Sequence, residues 1–242
     1  MESPSTLLLG LEAARGIAEY GLSWILNLPL QSISPKGDGH PVLVLPGLGT
    51  TDSSTNFVRT FLSDLGYSAY PWGLGRNLGP RNGIDSMIDS LVDLLENIYV
   101  AEGDQQVSII GWSLGGIYGR ELAKRSPDLV RQVITLGTPF KAGENSTNVG
   151  RLYELLSRDS SHKDPEIVKK IAEPPPVPFT SLYSKTDGVV SWEASIEEEG
   201  VFSQNIEVPG ASHLGLGHNP ISMYIIANRL AQPKGTWKPF EM

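Results

Sequence analysis

The 242-residue sequence contains no cysteine. Disulfides, thiolate nucleophiles and thiolate metal sites are thereby excluded, and the redox compartment stays open. Histidine is scarce as well. His40, His162, His213 and His218 are too few and too scattered for a multi-histidine metal centre. Charged residues make up only 19%, below the usual proportion of about a quarter, which implies a large buried fraction. Positive charge is the rarer sign: 19 Lys and Arg stand against 27 Asp and Glu, a formal net charge of −8. That balance opposes any role resting on phosphate contacts and excludes nucleic acid as a partner. A long uninterrupted apolar run is also missing. The stretch Thr6 to Leu28 is broken by Glu12, Arg15 and Glu19, so no transmembrane span is predicted. Met1 to Thr6 carries Glu2 and no positive charge, and no small-residue cleavage site follows, so the reading is a cytoplasmic protein.

Turn formers are abundant instead, with 26 Gly and 18 Pro, and 40% hydrophobic residues suffice for a sizeable core. Residues 1–30 read as an N-terminal amphipathic helix. Leu7, Leu11, Ala14, Ala18, Leu22 and Ile25 share one face, and Glu12, Arg15, Glu19 and Ser23 another. The expectation is a helix packed on the main domain. A dimer helix or peripheral lipid contact is the alternative, and the non-basic polar face disfavours the lipid contact.

From Pro41 onward, apolar runs alternate with helical spacing. Strands are predicted at Pro41–Leu45, Tyr67–Trp72, Gln106–Ile110, Gln132–Leu136, Phe179–Tyr183 and Asn205–Val208. Helices are predicted from Ser53 or Ser54 to Leu65, from Ile84 to Val100, from Leu114 to Arg125 and from Pro220 to Leu230. Residues 141–178 break the rhythm as an insertion with short helices near 147–158 and 165–172. The pattern predicts one α/β domain over 1–242, built on about six mostly parallel strands with helices on both faces.

The chemistry concentrates at Gly111-Trp112-Ser113-Leu114-Gly115-Gly116, where an apolar run stops and a helix starts. Gly-x-Ser-x-Gly at such a junction is the nucleophile-elbow pattern: small residues let strand and helix approach, and the serine is held in a strained turn. A serine hydroxyl needs a base, usually a histidine held by a carboxylate. His40 precedes the first strand and sits at the wrong end of the sheet, and His162 lies in the insertion. His213, five residues past the last strand, is the preferred base, with His218 as the alternative. Asp187, just past the strand Phe179–Tyr183, is the acid. The loop Pro46-Gly47-Leu48-Gly49 supplies the amide of Leu48 as an oxyanion donor beside that of Leu114. Trp112, Trp72, Leu152, Leu155 and Leu156 are the expected substrate-binding residues, the leucines as part of a small lid. Gly73-Leu-Gly75-Arg-Asn-Leu-Gly79 is no dinucleotide fingerprint and is read as a pocket wall.

Together LPGLG at 45–49, GWSLGG at 111–116, LGTPF at 136–140, TDGVV at 186–190 and GASH at 210–213 resemble the α/β-hydrolase superfamily, and within it the compact bacterial lipases and carboxylesterases. The resemblance covers about Pro41 to Leu230. It implies Ser113, Asp187 and His213 as a triad, Leu48 and Leu114 as oxyanion amides, and no cofactor. The implied activity is hydrolysis of neutral carboxylic esters of short to medium acyl chain through an acyl-enzyme. Acyl transfer with the same triad, or a non-catalytic module on the same fold, are the alternatives. Three departures separate the chain from the usual pattern, and in the first two Pro46-Gly47 stands where His-Gly is common and Trp112 where many lipases carry histidine. The two leading antiparallel strands of larger members are replaced by the N-terminal helix.

Overall fold

The computed structural model describes residues 4–141 and 165–241. The six apolar runs form β1 (Pro41–Leu45), β2 (Ser68–Pro71), β3 (Val107–Trp112), β4 (Val130–Leu136), β5 (Phe179–Tyr183) and β6 (Ser203–Glu207). They pair in one sheet of order β2-β1-β3-β4-β5-β6, every pair parallel. This is the six-stranded sheet that the alternating pattern predicts. β1 and β3 are buried along their whole length, because parallel strands joined by helical crossovers are covered on both faces.

The helices are α1 (Thr6–Ile33), α2 (Asn56–Leu65), α3 (Ile84–Ala101), α4 (Leu114–Arg125), α5 (Pro165–Ala172) and α6 (Pro220–Leu230). Successive side chains of a strand point to opposite faces, and the core divides accordingly. Leu43, Leu45, Ile109 and Val133 pack with α3 and α4 on one side. Val42, Val44, Ile110 and Ile134 pack with α2 and α6 on the other. α2 starts later than its serines suggest. Asp52 accepts from the amides of Trp72 and Gly73 (3.0 and 3.2 Å), which holds 51–55 in turns before the helix begins.

The sheet sends the turns after β1, β3, β4, β5 and β6 to one edge, as parallel strands must. Gly47, Ser113, Gly137, Asp187 and His213 all follow strand ends there.

α1 corrects the sequence reading. The helix forms and packs on α2 and α6, but with its faces reversed. Glu12 and Ser23 are buried, whereas Leu7 is 70% and Ile25 76% exposed. The inner face is polar where it meets the loops after β5 and β6, while Leu30 near its end joins the core beside α2 and α6. Gly16 lies against Leu214, and Gly188 against the backbone of Leu8 and Leu9, each so closely that a Cβ would not fit. Among the described residues no helix is long and apolar enough to cross a membrane.

Candidate active site

Ser113 sits between β3 and α4 with φ 53° and ψ −119°, a region that only glycine enters without strain. Three glycines make the turn feasible. A Cβ on Gly111 would overlap the backbone of Gly115 and Gly116, one on Gly115 the carbonyl of Leu45, and one on Gly116 the side chain of Thr138. The Ser113 amide donates to the Leu136 carbonyl (2.9 Å), which fixes the elbow to the end of β4.

The loop after β1 faces this turn. A Cβ on Gly47 would lie 3.4 Å from Ser113 Cβ. Asn77 stitches the loop to the glycine-rich segment after β2: its side-chain amide donates to Pro46 O (2.9 Å), its carbonyl accepts from Gly49 N (2.6 Å), and its own amide donates to Thr50 O (2.8 Å). Arg76 adds a hydrogen bond to Gly49 O (2.6 Å). The same segment lines a cleft of about 290 Å³ with Trp72, Leu74 and Leu78. Among the described residues, neither the Leu48 amide nor the Leu114 amide donates to a protein acceptor. Both N–H groups are thus without a protein acceptor among those residues.

Asp187 and His213 meet 2.7 Å apart through Oδ2 and Nδ1, both buried. The other carboxylate oxygen accepts from the amides of Val189 and Val190 (2.8 and 2.7 Å), so the acid is held by its own loop. Gly137, one residue beyond Leu136, leaves room for the pair: a Cβ there would lie 3.0 Å from His213 Nδ1 and 3.1 Å from Asp187 Oδ2. Burial disfavours charge on His213. The Asp187 carboxylate, by charge and by hydrogen bond, and the Glu12 charge outweigh it and raise the pKa above its ordinary value. Among the described residues the Ser113 hydroxyl makes no hydrogen bond to the imidazole.

Comparison with solved structures shows what this arrangement is built on. The chain is similar to a monoacylglycerol lipase from Paleococcus ferrophilus (TM-score 0.60, 16% identity, 82% of this chain and 96% of that one). It is equally similar to a lipase from Bacillus licheniformis (TM-score 0.60, 15% identity, 82% and 94%). The chain has the α/β-hydrolase fold.

No family model matches the chain. Among curated sequences, a triacylglycerol lipase from Pseudarthrobacter phenanthrenivorans is 30% identical over 111 residues, 43% of this chain and 34% of that protein. A pimeloyl-[acyl-carrier protein] methyl ester esterase from Shewanella woodyi is 28% identical over 149 residues, 60% and 54%. The matches therefore span about a third to a half of these relatives.

On this α/β-hydrolase scaffold the remaining expected residues take definite places. Trp112 is buried behind the site: its indole N–H donates to the His213 carbonyl (3.1 Å) and its ring meets that of His218. Trp72 is buried too, its indole N–H bound to Gly75 O (2.9 Å). Both tryptophans thus brace loops, and only Trp72 also borders the neighbouring cleft. His218 lies among Tyr20, Phe57 and Trp112, where burial lowers its pKa to about 4. Leu152, Leu155 and Leu156 lie outside the described residues.

A second Ser–His–Asp grouping occupies the opposite edge. His40 contacts the Asp38 carboxylate through Nδ1 and the Ser108 hydroxyl through Nε2 (2.8 Å). Ser108 is fully buried in β3, so no substrate can reach it, and the trio serves as a structural tie.

The sequence reading missed the contribution of α1. The Glu12 carboxylate accepts from Gly188 N (2.7 Å) and Leu214 N (3.3 Å), the residues next to the acid and the histidine. Glu19 accepts from Ser212 N (2.8 Å), and Arg15 donates to Thr186 O (2.7 Å) and Gly210 O (3.0 Å). The signal was present as three charged residues at i, i+3 and i+7 spacing. Their partners lie too far along the chain for the pattern to name. Among the described residues, no group of three His, Asp or Glu could hold a metal ion.

Proposed function

We propose that the chain is a serine carboxylic-ester hydrolase acting on neutral esters. The observation that carries the reading is the strained Ser113 turn, with the Leu114 and Leu48 amides undonated and the buried Asp187–His213 pair bordering Gly137 at the end of the adjacent strand. The relatives named as lipases and an esterase support it.

The His213 Nδ1–H donates to Asp187, which leaves Nε2 free to accept a proton. Nε2 takes the Ser113 proton as Oγ attacks the ester carbonyl carbon. The developing oxyanion is stabilised by the Leu48 and Leu114 amides and by the N-terminus of α4. The imidazolium then protonates the departing alkoxide, leaving Ser113 acylated. Water, deprotonated by His213, attacks the acyl carbon, and the serine takes the proton back as the acid leaves. The Asp187 carboxylate stabilises the imidazolium in both halves. The serine–histidine hydrogen bond forms as substrate excludes water, a tightening common between free and bound enzymes.

The chain's negative balance favours neutral substrates over anionic ones, and a short insertion after β4 favours acyl chains of about C4 to C8. A panel of p-nitrophenyl esters from acetate to palmitate, with and without added alcohol, tests the proposal. Hydrolysis peaking at short to medium chains is expected. Turnover only with alcohol would make the protein an acyltransferase, and none with any ester would make it a binding module.

A further inference from the structure

The charged residues of α1 are Glu12, Arg15 and Glu19, and all three turn to the loops of the site. The outer face is therefore without charge along a helix of 28 residues, about 42 Å long at 1.5 Å per residue. Leu7, Ile17, Ile25 and Leu28 are each more than two-thirds exposed. With its other exposed apolar side chains, α1 offers on the order of 1,000 Å² of apolar surface. The largest apolar patch of a typical monomer is about 300–600 Å², and a stable interface takes roughly 800 Å² per partner.

The face also has a shape. Leu7, Gly10, Ala14, Ile17, Gly21 and Leu28 fall on one stripe at alternating steps of three and four, with Trp24 completing it. A glycine inside a helix costs about 1 kcal/mol relative to alanine. A Cβ on Gly10 or on Gly21 would meet nothing among the described residues. The packing of the described residues thus gives no reason for either glycine.

We propose that α1 packs antiparallel on α1 of a second copy, about a two-fold axis between Ile17 and Ala18. That register sets Ala14 beside Gly21 and brings Ile25 and Ala18, which flank the stripe, level with Gly10 and Ile17. Leu7 then meets Leu28 at each end. Every contact occurs twice, as an isologous interface requires, and no charge is buried. A lipid surface fits less well, because interfacial helices carry Lys and Arg on their polar face, and here that face holds two glutamates and one arginine committed to the protein. The pairing stands apart from the ester chemistry and is tested without it.

Sedimentation equilibrium of the full chain over about 1 to 100 µM reads the association directly. The expected result is twice the 26.2 kDa of one chain. Gly21→Leu fills a notch that is open space in the monomer. It should weaken dimerisation at least 100-fold while the thermal unfolding transition stays cooperative. The absence of native cysteine allows a second measurement. Ala18→Cys, at the axis, should cross-link on oxidation. Leu7→Cys should not, since its counterpart lies about 30 Å away. A single-chain mass throughout the range, a dimer indifferent to Gly21→Leu, or a monomer that binds phosphatidylcholine vesicles would overturn the proposal.

Discussion

At the scale of single residues, Ser113 stores strain for the sake of position. Its φ of 53° costs of order 1–3 kcal/mol in a non-glycine residue. Ser113→Gly should therefore raise the melting temperature and abolish turnover together, while Ser113→Ala should lower turnover by roughly 10⁴-fold or more. Calorimetry and ester hydrolysis on the same preparations check both. His213 sets the pH limit. Its base form is required, and its pKa is raised by Asp187 and Glu12 against the effect of burial. The acid limb of kcat/KM should accordingly fall at a pH above the ordinary imidazole value of about 6.5. His218, whose pKa is lowered, would put that limb below it. Ser113, Asp187 and His213 were legible as candidates because each follows a parallel strand within six residues, where position along the chain limits position in space. The roles of Trp112 and Trp72 were not. An indole reads the same in a sequence whether it lines a pocket or donates its N–H to a loop carbonyl.

At the scale of elements, sheet and helices followed from periodicity, and the outward turn of α1 did not. A hydrophobic stripe says that a helix has two faces, and burial usually assigns the apolar one inward. Here the neighbours are loops with unpaired amides, which carboxylates satisfy and leucines cannot. Glu12 bonds the amides of Gly188 and Leu214 across 176 and 202 residues of chain, a relation no local pattern carries. Glu12→Gln keeps an acceptor but removes the charge. It should lower the apparent pKa of the acid limb and reduce kcat several-fold. Glu12→Ala, which leaves two amides unsatisfied, should also destabilise the fold by about 1–3 kcal/mol. A pH–rate profile beside a denaturant melt separates the two effects. The close approach of β3 and α4 makes a sharper demand. Gly116→Ala would drive a methyl into Thr138 and should prevent folding or cost several kcal/mol.

At the scale of the whole molecule, titration links stability to acid. His40 and His218 both have lowered pKa values, chiefly through burial, and the latter falls to about 4. The unfolded chain therefore binds these protons before the folded one does. Stability present above about pH 6.5 should be lost progressively as the pH falls from there. His213 works in the opposite direction, but it is one histidine against two. Melting temperatures measured from pH 7 to pH 4 should decline. His218→Phe, which keeps an aromatic ring among Tyr20, Phe57 and Trp112, should flatten the decline. The assignment of Ser113 as the nucleophile meets its most direct test in a fluorophosphonate titration of the full chain, followed by mass analysis of its peptides. One adduct per chain on the peptide containing Ser113, lost in Ser113→Ala and slowed by orders of magnitude in His213→Ala, is the result expected. An unlabelled wild-type chain, or labelling that survives Ser113→Ala, would contradict it.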